Sequence, residues 1–357
     1  MGSVCERGFE SSAVRLIELS VRVTWGSELP VQIVDALELS EFRGVRRCRE
    51  PIRLSSFTVL VGRNNVGKTA VLEALFLMDK GVITRLVPFV HIELKALIDS
   101  LHGGFSSLIY GYTGRATITY YMHTGEKVYR RVLPSGISSL ALESGEAESE
   151  EVLTRLLGLE DAGSLPSSIA FLPNDSDFLR QLLDSLRRED RWMEVEKSGA
   201  NVRIVRDLVA RVVSDRFTEA SVRFNSVVLR KELPDGRVMY VKAADLGDGV
   251  ERVLAYGLCL ETYRPRLVLW DDVEASAHPG LVEAVLEWLA SRDWQVVLST
   301  HSYDVLERLV AVEPEEATVV VLRKGADDVL ESKVLSLEEV EEMLERHVDV
   351  RRVIDIL

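Results

Sequence analysis

The sequence of 357 residues lacks any long apolar segment. No run approaches the ~20 apolar residues that a membrane-spanning helix requires. The N-terminus, MGSVCERGFESS, also lacks the apolar stretch of a secretion signal. These two absences predict a cytoplasmic protein with no membrane segment.

Cysteine is scarce, and the three cysteines are far apart in the sequence: Cys5, Cys48 and Cys259. An odd number without CxxC spacing argues against both a disulfide framework and a zinc site. Internal repeats and sustained heptads are missing as well. Their absence excludes a long coiled coil.

Basic residues are in the minority, since 43 Lys and Arg stand against 57 Asp and Glu, for a net charge of −14. Such a surface repels nucleic acid on average. Arg43, Arg46, Arg47 and Arg49 form one local basic group, which is more typical of a solvated, turn-like loop than of a phosphate-binding patch. Nucleic-acid binding stays open, because a basic groove could form only in a dimer.

Short apolar strands alternate with helices at both ends of the chain. The strand Phe57–Val61 precedes a nearly all-apolar helix at Thr69–Met78, and the same alternation returns after Asp245. This pattern predicts a mostly parallel sheet covered on both faces. The later strands are predicted at Leu267–Trp270, Val296–Ser299 and Thr318–Leu322, and the later helices at Val250–Tyr263, Leu281–Ala290 and Tyr303–Val310.

The segment from Gly81 to Glu219 lacks this alternation and is predicted to be an inserted hairpin and helical subdomain within one domain spanning residues 1–357. An acidic helical stretch is expected at Leu335–Leu357. The remaining predictions are strands at Val31–Leu39, Ile52–Leu54 and Ile169–Leu172, hairpins at Ala116–Tyr121 with Val128–Leu133 and at Val222–Lys231 with Arg237–Lys242, a mobile loop at Leu142–Glu151, and helices at Asp177–Leu186 and Val202–Val213.

The segment Gly62–Thr69, GRNNVGKT, matches the phosphate-loop pattern GxxxxGK[ST] at every fixed position. Glycines let successive backbone N–H groups face phosphate oxygens, and the following helix adds its positive dipole end. Lys68 is expected to bind the β- and γ-phosphates of ATP, and Thr69 to bind Mg²⁺. The predicted nucleotide-binding residues are Gly62, Arg63, Asn64, Asn65, Val66, Gly67, Lys68, Thr69 and Ala70.

Three carboxylates follow the strand Leu267–Trp270. Ligands gather at the carboxyl ends of parallel strands, so these side chains should face the phosphate loop. Asp271 is best placed to bind Mg²⁺, and Asp272 to polarise an attacking water, with Glu274 as a possible substitute. In isolation, an acidic strand end that caps the next helix would be an equally good interpretation.

Two further segments are candidates for the same site. The strand before Ser299 leads to His301, whose imidazole could hydrogen-bond the γ-phosphate, although a lone histidine after a strand is usually structural. A glycine-rich turn opens the helix after Asp245 and offers unpaired N–H groups to an anion, or is simply a helix capped by Asp248. The candidates in this turn are Gly247, Asp248, Gly249 and Arg252.

In this order, the four motifs resemble those of ABC-type ATPases of the SMC/RecF/OLD group, above all small "AAA family" ATPases with an OLD-like ATPase domain. The resemblance rests on Phe42–Gly44 with Phe57–Ala74, on GDGVER at Gly247–Arg252, on WDDVEASAHP at Trp270–Pro279 and on STHS at Ser299–Ser302. It implies an α/β P-loop NTPase fold of the ABC type, with an N-terminal antiparallel lobe and a helical insertion. No nuclease domain of the kind that OLD proteins append is expected in this chain.

The resemblance also implies an ATP-dependent homodimer that encloses two ATP molecules with Mg²⁺. The phosphate loop, Asp271, Asp272 and His301 would act within one subunit, while Gly247–Gly249 would cap the γ-phosphate of the other. Two residues depart from the family pattern, since Gly247 replaces a serine and Asp272 replaces a glutamate. An aspartate is one methylene shorter, so the expected hydrolysis is slow.

Two functions therefore compete. The first is an ATP-hydrolysing dimerisation switch that acts on a partner protein or nucleic acid. The second is a non-hydrolysing, ATP-binding regulatory subunit of a separate effector of the nuclease or toxin type. A P-loop kinase for a small metabolite is the weakest alternative, because it leaves the GDGVER and STHS segments unexplained.

Overall fold

The computed structural model describes residues 32–80, 86–87, 90, 92–143, 145–146 and 150–356. Its strands, in chain order, are β1 Val34–Phe42, β2 Val45–Cys48, β3 Ile52–Arg53, β4 Phe57–Val61, β5 Leu86–Val87, β6 Ile92–Glu93, β7 Ala116–Met122, β8 Lys127–Leu133, β9 Gly136–Ile137, β10 Ala141–Leu142, β11 Gly145–Glu146, β12 Ile169–Leu172, β13 Phe217–Arg223, β14 Ser226–Glu232, β15 Val238–Lys242, β16 Leu267–Trp270, β17 Gln295–Thr300, β18 Ala317–Lys324 and β19 Val329–Ser336.

The α-helices of the described residues are α1 Lys68–Phe76, α2 Leu94–His102, α3 Glu150–Leu156, α4 Ser176–Leu186, α5 Glu189–Ser198, α6 Ala200–Ile204, α7 Ala210–Val212, α8 Asp248–Tyr263, α9 Pro279–Ala290, α10 Tyr303–Val312, α11 Leu337–Glu345 and α12 Val353–Ile356. A π-helical turn at Val205–Val209 joins α6 to α7. Short 3₁₀ turns lie at Phe105–Leu108, Tyr110–Tyr112, Ala162–Ser167, Ala243–Leu246 and Val350–Arg352.

One large mixed sheet forms the centre of the fold, with the strand order β11-β10-β8-β7-β1-β2-β19-β18-β4-β17-β16-β12. The half from β18 to β12 is parallel throughout. The half that contains β1, β7, β8 and β10 is antiparallel. The predicted α/β fold, with a mostly parallel sheet and an antiparallel N-terminal lobe, is confirmed.

The parallel strands are apolar because helices or other strands cover both of their faces. Every residue of β4, β16 and β17 is buried, and α1 buries nearly all of its residues against them. The strands pair in register, with Val61 opposite Thr300 and Trp270 opposite Leu298. Residues that directly follow β4, β16 and β17 therefore lie at the same edge of the sheet.

The segment predicted as an insertion is divided among several parts of the fold. Its hairpin, β7 with β8, extends the main sheet by pairing with β1, and β12 forms the parallel edge beside β16. The helices from α4 to α7 form a group beside α8. The short hairpin of β10 with β11 and the start of α3 replace the predicted mobile loop at Leu142–Glu151, apart from residues 144 and 147–149, which lie outside the described residues.

Several local predictions need correction. The second hairpin is present as β14 with β15, and β13 extends it to a three-stranded sheet; Phe224 and Asn225 turn with positive φ, so Val222 lies in β13. The acidic C-terminal stretch is helical from Leu337 as α11, while its first two residues end β19, which pairs antiparallel with β18. The arginine-rich turn-like segment includes β2, and the predicted start of β1 at Val31 lies outside the described residues.

Two arginines of the predicted basic group are neutralised by carboxylates. Arg43 forms an ion pair with Glu73 of α1, and Arg49 forms one with Glu331 at 2.7 Å. Arg46 and Arg47 are exposed. Two of the four arginines therefore connect elements of the fold to one another. This pairing makes a phosphate-binding patch less favoured at this position.

Gln295, at the start of β17, links three segments of the core. Its side chain is fully buried, and Oε1 accepts hydrogen bonds from the backbone N–H groups of Ile33 and Val34 at 2.9 and 3.0 Å. Its Nε2 donates to the carbonyls of Val34 and Ser55 at 2.8 and 3.0 Å. One amide thus satisfies backbone groups that would otherwise be buried without partners.

We expect Gln295→Leu to lower the free energy of unfolding by about 3 kcal/mol, because buried backbone groups lose their partners. Urea unfolding of the variant measures the change. The same substitution at the half-buried Gln181 of α4 is the control and should have a much smaller effect. Equal shifts for the two variants would contradict the assigned role of Gln295.

Candidate nucleotide-binding site

The phosphate loop runs from Gly62 to Thr69 between β4 and α1. Gly67 has φ of 118° at the N-cap of α1, and Asn65 has φ of 60°, so the loop curls in the left-handed region at these positions. A Cβ added at Gly62 would lie 2.6 Å from the carbonyl oxygen of Leu322. The backbone therefore requires glycine at Gly62 and Gly67, as the motif predicts.

Lys68 is buried, and its ammonium folds back onto the loop. Nζ donates to the carbonyls of Gly62 and Arg63 at 3.1 and 3.4 Å. Burial lowers the pKa of Lys68, and the nearby carboxylates of Asp272, Asp271 and Glu274 oppose that shift. Within the described part of the chain only these carbonyls bind the ammonium, so it has donor capacity and charge to offer an anion in the loop.

Thr69 and Asp271 meet although they are 202 positions apart in the sequence. The Thr69 hydroxyl donates to Oδ2 of Asp271 at 2.9 Å, and the other carboxylate oxygen accepts from the Ser299 hydroxyl at 2.5 Å. Burial raises the pKa of Asp271, these two hydrogen bonds oppose the shift, and the neighbouring charge of Asp272 adds to it. A buried carboxylate paired with a half-buried hydroxyl, at this electrostatic cost, fits a hard cation such as Mg²⁺.

Asp272 follows in a left-handed backbone conformation, with φ of 46°. Such a conformation is costly for a non-glycine residue and is kept only where the surroundings fix it. Here the Asp272 backbone N–H donates to the Ser299 hydroxyl at 2.8 Å. The same serine therefore orients two consecutive aspartates, and no sequence motif had singled out its hydroxyl for this role.

His301 lies against two of the predicted catalytic carboxylates. Its Nδ1 is 3.3 Å from Oδ1 of Asp272 and 3.0 Å from Oε1 of Glu274, and its backbone N–H donates to the same Glu274 oxygen at 3.0 Å. The other Glu274 oxygen is buried without a hydrogen-bond partner among the described residues. Asp272, Glu274 and His301 thus form one cluster, in which the two carboxylate oxygens and the imidazole nitrogen lie within 4.8 Å of one another.

The glycine-rich turn lies at the start of α8. Gly247 is exposed with φ of 100°, and the exposed Asp248 begins the helix without a side-chain cap from the residue before it. Gly249 is buried, and a Cβ added there would lie 2.2 Å from the carbonyl oxygen of Ser276. The turn is therefore open to solvent at Gly247 and Asp248, where backbone N–H groups are available. Gly249 instead packs against Ser276, which follows the carboxylates.

Arg252, predicted as a nucleotide contact, is buried in internal hydrogen bonds. Its guanidinium donates to Oδ1 of Asn174 at 2.9 Å and to the carbonyl of Pro173 at 3.3 Å. Asn174 in turn donates to Oδ2 of Asp272 at 3.2 Å. The geometry favours a positioning role for Arg252, and a direct contact with nucleotide stays a prediction.

Asn174 is a site residue that the sequence reasoning missed. It follows β12, the strand beside β16, so the topology places it at the same edge as Asp271. The available signal was the apolar strand Ile169–Leu172 with a polar residue soon after it. A single asparagine after a short strand is too common a pattern to be recognised alone.

The parallel sheet, the phosphate loop and the strand-end carboxylates together define a P-loop ATPase fold of the ABC type. A family model described as "AAA domain, putative AbiEii toxin, Type IV TA system" matches residues 57–307. This match covers well over half of the chain, which therefore belongs to this AAA-domain family.

Solved structures give the same fold. The SMC head bound to the C-winged helix domain of ScpA has 18% identity and a TM-score of 0.59, covering 87% of this chain and 99% of that one. An SMC head with an extended coiled coil, bound to the C-terminal domain of ScpA derived from Pyrococcus furiosus, has 16% identity and a TM-score of 0.57, covering 88% and 99%. At these identities the likeness shows the fold alone.

Among curated proteins, none matches this chain. Within the described residues, no helix combines the length and the apolar character that a membrane crossing demands.

We expect Gly249→Ala to destabilise the protein by about 1–3 kcal/mol, because the new methyl group would force α8 and Ser276 apart. Thermal unfolding measures the loss. Asp248→Ala, one residue earlier and exposed, is the matched control and should change stability little. If both variants unfold at the same temperature as the unmodified protein, the close contact between Gly249 and Ser276 is not tightly packed.

Proposed function

We propose that the chain binds Mg-ATP at Gly62–Thr69 and hydrolyses it slowly, as an ATP-dependent dimerisation switch that acts on a partner. The hydrogen bond between Thr69 and Asp271 carries the proposal. Both residues were predicted as Mg²⁺ ligands from separate motifs, and their side chains meet at 2.9 Å beside the buried Lys68. Membership in the AAA-domain family supports a nucleotide-binding role.

Each residue has a distinct task in this proposal. Lys68 and the loop N–H groups bind the β- and γ-phosphates, and Thr69 with Asp271 would hold Mg²⁺. When bound there, Mg²⁺ neutralises phosphate charge. Asp272 accepts a hydrogen bond from the attacking water, and the imidazole of His301 hydrogen-bonds the γ-phosphate. Asp272, Asp271 and Glu274 all oppose the lowering of the pKa of Lys68, so the three carboxylates act on the same ammonium.

Slow hydrolysis is expected from the geometry of Asp272. Its short side chain is shared between Asn174 and His301, at 3.2 and 3.3 Å. Glu274 is a poorer candidate for the water contact, because its Oε1 already accepts from the His301 backbone and its side chain is less exposed, at 14% against 26% for Asp272. A displacement of ~1 Å from productive geometry lowers a rate by about 100-fold.

Dimerisation is proposed because the turn at Gly247 is exposed and presents backbone N–H groups. A helix start with free N–H groups attracts phosphate. In the proposed homodimer, Gly247–Gly249 of one subunit cap the γ-phosphate bound to the other, so ATP holds the dimer closed and hydrolysis opens it. The partner on which the switch acts is a protein or nucleic acid.

A second candidate is a regulatory subunit that binds ATP without hydrolysis and controls a separate nuclease or toxin-type effector. This candidate is supported because both carboxylate oxygens of Asp272 already have hydrogen-bond partners. Asn174 contacts one oxygen and His301 contacts the other. In this case ATP still binds Lys68 and Thr69, and the ATP-bound form alone recognises the effector.

The two candidates are separated by ATP turnover and oligomeric state, measured together. We expect Lys68→Ala to abolish turnover through loss of phosphate binding. We expect Asp272→Asn to lower turnover by about 100-fold or more, as for loss of a general base, while ATP-bound dimers accumulate. Light scattering coupled to gel filtration, with ATP and with ADP, reports the dimer.

Lys95→Ala and Asp184→Asn are matched controls, because both side chains are largely exposed and lie outside the site. They should retain normal turnover. Tight ATP binding without turnover, unaffected by Asp272→Asn, would refute the hydrolysing switch and leave the regulatory subunit. Failure of the unmodified protein to bind ATP would refute both candidates.

A further inference from the structure

The C-terminal segment Asp349–Ile356 lies across the edge of the sheet that carries the site. It comprises the 3₁₀ turn Val350–Arg352 and α12. Val350 is fully buried in the hydrophobic core, and Arg323 of β18 donates to the carbonyl of Ile354 at 3.0 Å. The segment is therefore packed against the sheet by both apolar and polar contacts.

Arg351 extends from this segment to the loop after β17. Its Nη1 donates to the backbone carbonyl of His301 at 3.2 Å, and its guanidinium carbon lies 4.8 Å from the ring centre of Tyr303. The remaining donors form a fork on Asp349, with Nε and Nη2 at 2.9 and 3.1 Å from the two carboxylate oxygens. Two parallel hydrogen bonds to one carboxylate hold the plane of the Arg351 guanidinium in one orientation.

The contact has a consequence for the orientation of His301. The N–H of its peptide donates to Glu274, and its carbonyl accepts from Arg351. Side chains thus hold the backbone of His301 on both sides. An imidazole projects from a backbone position, so fixing the peptide fixes the direction in which the ring approaches Asp272.

We propose that Arg351 is a positioning residue for ATP hydrolysis, which acts by fixing the backbone of His301. The proposal rests on the proposed ATPase function. It assigns a role in the site to a residue from the C-terminal segment, fifty positions after His301. Arg351 does not bind nucleotide in this proposal, so its loss should affect the chemical step and spare ATP affinity.

The test compares Arg351→Ala with Arg346→Ala, a matched control whose side chain is 73% exposed and pairs with Glu342 on α11. We expect Arg351→Ala to lower kcat by roughly 10- to 100-fold, as for ~1 Å of misplacement, with KM and the affinity for a fluorescent ATP analogue nearly unchanged. Arg351→Lys, which keeps a donor for the His301 carbonyl, should restore part of kcat. Arg346→Ala should resemble the unmodified protein.

A double-mutant comparison tests whether Arg351 acts through His301. If it does, Arg351→Ala should have almost no further effect on kcat in a His301→Ala background. An equal loss in both backgrounds, or a weakened affinity for ATP, would overturn the proposal. Arg351→Gln, which keeps most of the side-chain volume, provides the same comparison if Arg351→Ala does not fold.

Amide hydrogen exchange separates the failure of this proposal from the failure of the ATPase function. In the protein without nucleotide, Arg351→Gln should speed exchange in the segment His301–Tyr303, and Arg346→Ala should not. Unchanged exchange in Arg351→Gln would overturn the positioning role. If the unmodified protein shows no turnover while Arg351→Gln still exchanges faster, the ATPase function is refuted. The hydrogen bond from Arg351 to the His301 carbonyl is then still supported.

Discussion

The parallel, in-register pairing of β4, β17 and β16 is the constraint on which the site depends. Val61 pairs with Thr300, and Leu298 with Trp270, so the three strands end at the same edge. Only this pairing brings Thr69 within 2.9 Å of Asp271. A shift in the register of β16 would carry its carboxylates away from the phosphate loop.

The parts of the fold that were predictable from sequence have strong local signals. Fully apolar strands such as Phe57–Val61 and Leu267–Trp270 admit few alternatives, and the phosphate loop has fixed glycine positions that the backbone requires. The roles predicted for Asp271 and His301 followed from their places after such strands. For these residues the structure places the side chains together at the sheet edge.

Other features were not predicted. β19 carries charged residues between its apolar ones and leads directly into the acidic helix α11, so its strand character was not recognised. The hairpin β7–β8 was found, but its pairing with β1 depends on contacts some eighty positions apart. Asn174 and Arg351 are single polar residues outside any motif, and only tertiary structure brings them to Asp272 and His301.

The start of α8 is connected to Asp272 by contacts within the subunit. Gly249 lies so close to Ser276 that no Cβ fits between them, and Arg252 of the same helix binds Asn174, which binds Asp272. A close-packed contact and a chain of hydrogen bonds thus join the two ends of the site by separate routes. A contiguous network of this kind can carry coupling between sites. The turn that is proposed to cap the phosphate of the other subunit is therefore joined to Asp272, the residue proposed to orient the attacking water.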